Sequence, residues 1–98
     1  MPKSKVILLV QAQIQPEHRN TILAVAAENL PLTRAEKGVE AFYQTARQDD
    51  PNTLVFFEVF ESEAAHDLHM QEEYTKKVFQ SLEGRLLASP VVTKLVEL

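Results

Sequence analysis

Glu58 is the residue whose position is most informative about chemistry. Because alternate residues of a strand point to the same side, it shares one strand face with three large apolar residues: Leu54, Phe56 and Phe60. Burial of an unpaired carboxyl group raises its pKa, and a carboxyl group that titrates nearer neutrality can act as a general base or acid. The alternative is a structural carboxylate that pairs with Arg34 or accepts backbone N–H bonds. The sequence leaves both open.

His69 is the second candidate for chemistry. It lies one helical turn after Ala65, on the stripe expected to face the sheet, where a neutral imidazole could bind a substrate oxygen or transfer a proton. The same spacing also suits a core histidine without a chemical role. His66 and His69 have the i, i+3 spacing that can chelate a metal, but no third ligand converges on them, so we expect no metal site.

Aromatic residues could supply the apolar wall of a substrate cleft, although residues at these spacings also form ordinary cores. The four candidates are Phe42, Phe56, Phe60 and Tyr74. A nucleophilic site is not expected, because the chain has no cysteine and no serine in a strand–turn–helix elbow. The chain has only two glycines, which stand alone, so phosphate-binding loops and nucleotide cofactors are not predicted either.

Composition excludes further classes of function. The 98 residues carry a net charge of −4, with pI about 5.3 and no basic cluster larger than Lys76-Lys77, which argues against nucleic-acid binding. No apolar run approaches the roughly 18 residues of a membrane span, and the apolar stretch after the basic start is too short for a signal peptide. With cysteine absent, we expect a cytoplasmic protein that contacts neither membrane nor nucleic acid.

Hydrophobic periodicity gives the order of the elements that must position these residues. It predicts a strand over 6–14, a helix from Pro16 to Glu36, strands over 39–47 and 53–61, a helical region from Ser62 to residues 88–90, and a strand over 91–98. Pro31 should break or kink the first helix near Ala27, and Gly38 should follow its end. Turn-forming residues at 48–52 predict a hairpin. The helical spacing of the second region is interrupted at 71–73.

The order βαββαβ predicts one α+β domain over residues 1–98, a ferredoxin-like sandwich with an antiparallel sheet and helices on one face. The other face would then carry apolar side chains: Ile7, Leu9, Val55, Phe57 and Val59. Such a face is too apolar for solvent. We therefore expect a homodimer that packs through this sheet face and the C-terminal strand.

Two motifs resemble those of the antibiotic biosynthesis monooxygenase (ABM) domain family. They are Thr33-Arg34-Ala35-Glu36-Lys37-Gly38 followed by Phe42, and Glu58-Val59-Phe60-Glu61-Ser62 followed by Ala65 and His69. The resemblance covers nearly the whole chain and implies a dimeric α+β barrel with a cleft between helices and sheet. Several members oxidise polycyclic phenols or quinols with O₂ and without metal or flavin.

Carried onto this chain, the resemblance implies that Glu58 and His69 are the polar, catalytic members of the cleft and that Phe42 and Phe60 are its walls. Two positions depart from the family pattern: Phe60 replaces a tryptophan, and Tyr74 replaces a second histidine. Haem-degrading relatives have an asparagine where Val10 aligns and a histidine where Phe79 aligns, so a haem role is not expected.

Three functions remain open at this stage. The leading one is a cofactor-independent monooxygenase that oxidises a small aromatic or quinol-type substrate. The first alternative is an isomerase or other proton-transfer enzyme on a small carbonyl or phosphorylated ligand, as in autoinducer processing, with Arg34 or Lys5 as the cationic anchor. The second is a non-catalytic ligand-sensing dimer module. A deep apolar cavity that contains both Glu58 and His69 would favour an enzyme.

Overall fold

A computed structural model describes residues 4–98 of the chain. Its elements are β1 (Val6–Gln13), a 3₁₀ turn (Pro16–His18), α1 (Arg19–Arg34), β2 (Val39–Arg47), β3 (Asp50–Phe60), α2 (Glu63–Gln71), α3 (Glu73–Leu82) and β4 (Val91–Leu95). The strands form one antiparallel sheet in the order β2-β3-β1-β4. This arrangement confirms the predicted α+β ferredoxin-like fold.

The two faces of the sheet differ in burial, because successive side chains of a strand point to opposite sides. On β1, Leu8 and Ala12 are buried on the face that the helices cover, and Ile14 beyond the strand end is fully buried. Two apolar clusters form this core: Leu8 with Phe60 and Ala65, and Ile14 with Ile22 and Leu54. The first cluster lies beneath α2 and the second beneath α1.

Pro31 is accommodated within α1, and of the predicted break or kink near Ala27 the break is wrong. Proline removes one N–H donor, and here it lies in the last turn, so the helix continues to Arg34. The Ala35 N–H then donates to the Pro31 carbonyl at 3.1 Å. The prediction that the helix includes Glu36 is also wrong, because Glu36 lies in the turn between α1 and β2.

The second helical region is two helices that end earlier than predicted. The Ser62 hydroxyl accepts a hydrogen bond from the Ala65 N–H at 3.1 Å, which confirms the predicted cap of α2. Glu72 is extended (φ −70°, ψ 139°) and separates α2 from α3. After Leu82 the chain turns through Gly84 at φ 70° and pairs with the end of β1, so residues 83–90 are not helical.

Gly38 permits a close approach between the turn after α1 and α2. Its carbonyl accepts a hydrogen bond from the Glu61 N–H at 2.8 Å. A Cβ atom at this position would overlap the Cβ of Ala65, on the first turn of α2. The absence of a side chain therefore lets α2 lie against the turn that carries Glu36.

The uncovered face of the sheet carries the predicted apolar residues. Ile7, Leu9, Val55, Phe57 and Val59 are each partly exposed, and the register places Leu9 opposite Phe57 and Ile7 opposite Val59. β4 lies at the edge beside β1, and all five of its residues are exposed. Among residues 4–98, no helix is long and apolar enough to cross a membrane.

Candidate active site

A cavity of about 280 Å³ lies between the helices and the inner face of the sheet. Most of its lining is apolar and includes Phe42 and Phe56, two of the predicted wall residues. Its polar lining residues are Asn29, Glu58, His66, His69, Thr75 and Lys94. The volume is about twice that of the ~150 Å³ apolar cavity that binds benzene, so a ligand of one or two rings would fit.

Glu58 lies in the middle of the sheet, with Leu8 opposite on β1 and Phe42 opposite on β2. The residue is only 9% exposed, and no residue in the described part of the chain donates a hydrogen bond or forms a salt bridge to its carboxyl group. Burial among apolar groups raises the pKa of Glu58 to about 7. The carboxyl group can therefore take up or release a proton near neutral pH.

Arg34 does not neutralise this carboxyl group. Its Nε and Nη2 atoms donate to the Phe42 carbonyl at 3.0 and 2.9 Å, and its guanidinium lies 5.6 Å from the centre of the Tyr43 ring. Both contacts hold the side chain away from the cavity. The alternative in which Glu58 pairs with Arg34 is wrong, and Arg34 does not line the predicted cleft.

His69 is held by a carboxylate that the sequence analysis did not single out. Its Nδ1 lies 2.9 Å from Glu36 Oε2, and the residue is only 4% exposed. A carboxylate oxygen accepts hydrogen bonds, so Nδ1 carries the proton, and in the neutral imidazole Nε2 is left as an acceptor. No described residue hydrogen-bonds Nε2, which leaves that nitrogen available to a ligand in the cavity.

Tyr74 supports the same carboxylate instead of lining the cavity. Its hydroxyl donates to Glu36 Oε2 at 2.7 Å. Burial and this hydrogen bond raise the pKa of Tyr74 above its ordinary value, so the phenol remains a donor. Thr75 Oγ1 also approaches His69 Nδ1, at 3.4 Å. The predicted substrate contact of Tyr74 is thus replaced by a positioning contact.

Phe60 is likewise a support and not a wall of the cavity. It is fully buried, and its ring centre lies 5.1 Å from that of His69 and 4.9 Å from that of His66. The ring of Phe42 contacts His69 from the β2 side, with 5.8 Å between centres. His69 therefore packs against Phe42 and Phe60, which are the neighbours of Glu58 on the sheet. The side chains of His69 and Glu58 consequently line the same cavity.

His66 lies at the α2 side of the cavity and is partly exposed. Burial, reinforced by the nearby His69 and Lys94, lowers its pKa below the ordinary value. It is therefore neutral at physiological pH. Within residues 4–98, no three His, Cys, Asp or Glu side chains converge in a way that could hold a metal ion.

Sequence reasoning missed four polar residues of the site: Glu36, Asn29, Thr75 and Lys94. The position of Glu36 in the first motif was a usable signal, since that motif also holds the glycine against α2. Lys94 shares a β4 face with Val92, so its position among apolar residues was also visible. Asn29 and Thr75 could not be found from the sequence, because a polar residue on a helix gives no sign of whether it faces a cavity or solvent.

Comparison with known proteins identifies the family. The family described as antibiotic biosynthesis monooxygenase matches residues 5–81. The chain belongs to the ABM family. The match includes both motifs, and the structure shows what they do in this ABM chain: the first provides Glu36 and Gly38, and the second provides Glu58 and His69. A search of curated proteins gives no match.

Solved structures share the fold of this ABM chain. A crystal structure of an antibiotic biosynthesis monooxygenase aligns with TM-score 0.88 at 24% identity, covering 95% of this chain and 98% of the other. Rv0793 from Mycobacterium tuberculosis aligns with TM-score 0.88 at 25% identity, covering 97% and 96%. A conserved protein from Methanosarcina mazei Go1 aligns with TM-score 0.87 at 17% identity, covering 98% and 95%.

Proposed function

We propose that the protein is a monooxygenase that needs no bound cofactor and oxidises a small aromatic or quinol-type substrate in the cavity. The observation that carries the proposal is Glu58, an unpaired carboxyl group with a pKa of about 7 on the wall of an apolar cavity. A group kept near neutrality by burial suits proton abstraction at physiological pH. Membership of the ABM family supports the oxygenase class.

The proposed reaction begins with transfer of a proton from an acidic C–H or O–H of the bound ring to Glu58. The resulting anion is electron-rich enough to give one electron to O₂, and the substrate radical and superoxide then combine to form a C–O bond. Glu58 returns its proton to the peroxide anion so formed, and loss of water from the resulting hydroperoxide converts a ring CH₂ to C=O. One oxygen atom enters the product and the other leaves as water.

His69 and the apolar walls support the same chemistry. The Nε2 atom can accept a hydrogen bond from a substrate hydroxyl, while Glu36 fixes the ring at Nδ1. The apolar walls also exclude water, so that charge interactions inside the site are screened less than in solvent. We therefore assign His69 the role of orienting the substrate for proton transfer to Glu58.

Oxygen uptake tests this function. Hydroquinones of one or two rings and 2-tetralone, a two-ring ketone with an acidic ring CH₂, would be supplied to the protein in an oxygen electrode, with and without EDTA. We expect protein-dependent uptake with at least one substrate, unchanged by EDTA, and one oxygen atom from ¹⁸O₂ in the product. Uptake that depends on stoichiometric metal would contradict the cofactor-free proposal. Proton exchange into a carbonyl substrate without O₂ consumption would instead indicate the isomerase alternative.

A homodimer formed through the uncovered sheet face completes the proposal, and Phe57→Lys tests it. Phe57 lies in the middle of that face, beside Leu9 and Tyr43. A lysine there would bury an unpaired charge at the interface. We expect dimers of the native protein and monomers or aggregates of the variant by light scattering at micromolar concentration.

The matched control is Leu68→Lys, which places the same charge at an exposed apolar residue of α2, on the opposite side of the sheet. This variant should remain dimeric. A monomeric native protein, or a Phe57→Lys variant that dimerises as well as the control, would contradict an interface on this face.

A further inference from the structure

Lys94 provides a cationic group at the cavity. The sequence analysis predicted Arg34 or Lys5 for this role. Lys5 pairs with Glu40 at 2.7 Å, and Arg34 donates to the Phe42 carbonyl. Lys94 lies on the inner face of β4, opposite Leu8, and lines the cavity. It forms no salt bridge with any residue from 4 to 98.

The mouth of the cavity lies beside Lys94. Several lining residues are substantially exposed and mark the opening: Met70 at 39%, Phe79 at 49% and Val92 at 54%. These residues come from α2, α3 and β4, so the opening lies between the helices and the edge strand. Lys94 and His66 stand at this opening, and their proximity contributes to the lowered pKa of His66.

Glu58 lies deeper, on the far side of β1 from Lys94. Leu8 pairs with Glu58 on one side and with Lys94 on the other, so the two charged residues are two strand spacings apart, about 10 Å. Both side chains line the same cavity, so a ring system bound there can contact the ammonium group at one end and the carboxyl group at the other. A ligand that reaches both would be amphiphilic, with an apolar body and one polar end at the mouth.

We propose that Lys94 binds an anionic oxygen substituent of an aromatic substrate, such as a carboxylate, and so directs the opposite end of the ring towards Glu58 and His69. This inference rests on the proposed function, because it assigns the substrate class of the same cavity. Neutral His66 adds a hydrogen-bonding group beside the ammonium. A fixed anion selects which ring carbon meets the base, so Lys94 determines specificity and does not take part in proton transfer.

Binding of 2-naphthoate and of its neutral analogue 2-naphthamide tests this role by titration calorimetry at pH 7.5. We expect the native protein to bind the carboxylate at least tenfold more tightly than the amide, with an affinity that falls as salt is added. Lys94→Met should remove this preference by weakening only the carboxylate, while Lys94→Arg should retain it. Lys77→Met, an exposed lysine of α3 outside the cavity lining, should change neither affinity.

The outcomes separate this inference from the function on which it rests. Equal affinity of the native protein for both probes, or a carboxylate affinity unchanged in Lys94→Met, would overturn the role of Lys94 and leave the cavity as the substrate site. Failure of the native protein to bind either probe at millimolar concentration would contradict a ring-binding cavity, and the anchor with it. Circular dichroism of each variant controls for folding, which a substitution on an exposed strand should preserve.

Discussion

Replacing Glu58 by glutamine is expected to lower kcat by about 100-fold or more and, at the same time, to stabilise the protein at alkaline pH. Glutamine keeps the volume and the hydrogen-bonding capacity of the side chain but has no ionisable group, so proton abstraction is lost. The native kcat/KM should rise with pH through an apparent pKa of about 7 as the carboxyl group of the free protein loses its proton. Initial rates from pH 5 to 9 measure both effects.

The stability effect follows from the same pKa. Below the ordinary value of 4.5, Glu58 is protonated in both the folded and unfolded states and contributes nothing to the pH dependence. Between 4.5 and about 7 the folded protein keeps a proton that the unfolded chain has lost, so stability falls as pH rises. Above 7 the folded state holds a buried charge, and the free energy of unfolding is lower by roughly 3 kcal/mol.

Glu58→Gln should therefore raise Tm by about 12–24 °C at pH 8 and leave it nearly unchanged at pH 4. Glu28→Gln, at an exposed position of α1, is the matched control and should shift Tm little at either pH. A lower Tm for Glu58→Gln at pH 8 would mean that the carboxylate has a stabilising partner, and it would remove the case for a general base.

Gly38→Ala should destabilise the protein far more than an ordinary addition of one methyl group. The added Cβ would overlap the Cβ of Ala65, which is fixed to the backbone of α2, so α2 would have to move away from the turn before β2. Overpacking of this kind lowers the free energy of unfolding by about 1–3 kcal/mol or more. We expect Tm to fall by about 10 °C or more, measured by thermal denaturation.

Ala65→Gly supplies the compensating change. Alone it should lower stability by about 1 kcal/mol, as expected for glycine in a helix. Combined with Gly38→Ala it should restore stability above that of the single Gly38→Ala variant, because the overlapping atom is gone. Gly84→Ala is the contrast: no atom lies within 4 Å of the added Cβ, and only its φ of 70° opposes the change, so Ala65→Gly should not rescue it. Additive losses at positions 38 and 65 would refute the steric explanation.

Local patterns predicted the fold because each strand and helix has one dominant period. The alternation around Glu58 and the i+4 relation of His69 to Ala65 place both residues on covered faces, and the cavity contains both. The contacts around them depend on elements distant in the chain. Glu36 reaches His69 across 33 residues and Tyr74 across 38, and no local period encodes such a pairing.

The roles of Phe60, Tyr74 and Arg34 could not be separated by the same reasoning. Period 2 places Phe60 and Phe56 on one face equally, but only the position of α2 decides that Phe60 is covered and Phe56 borders the cavity. Arg34 was assigned to the cleft from its charge, whereas the end of α1 directs its guanidinium to a β2 carbonyl. Element positions follow from sequence periodicity, but side-chain partners follow from packing.

β4 lies at the edge of the sheet and should open locally more readily than the central strands. This five-residue strand is held by β1 alone, and all of its residues are exposed, whereas β1 is hydrogen-bonded on both sides. Local opening is least costly where few apolar contacts are lost, so amide hydrogens of β4 should exchange with solvent in the protomer well before those of β1 and β3. Since β4 also contributes Val92 and Lys94 to the cavity, an exposed edge strand forms one side of the ligand's route in and out.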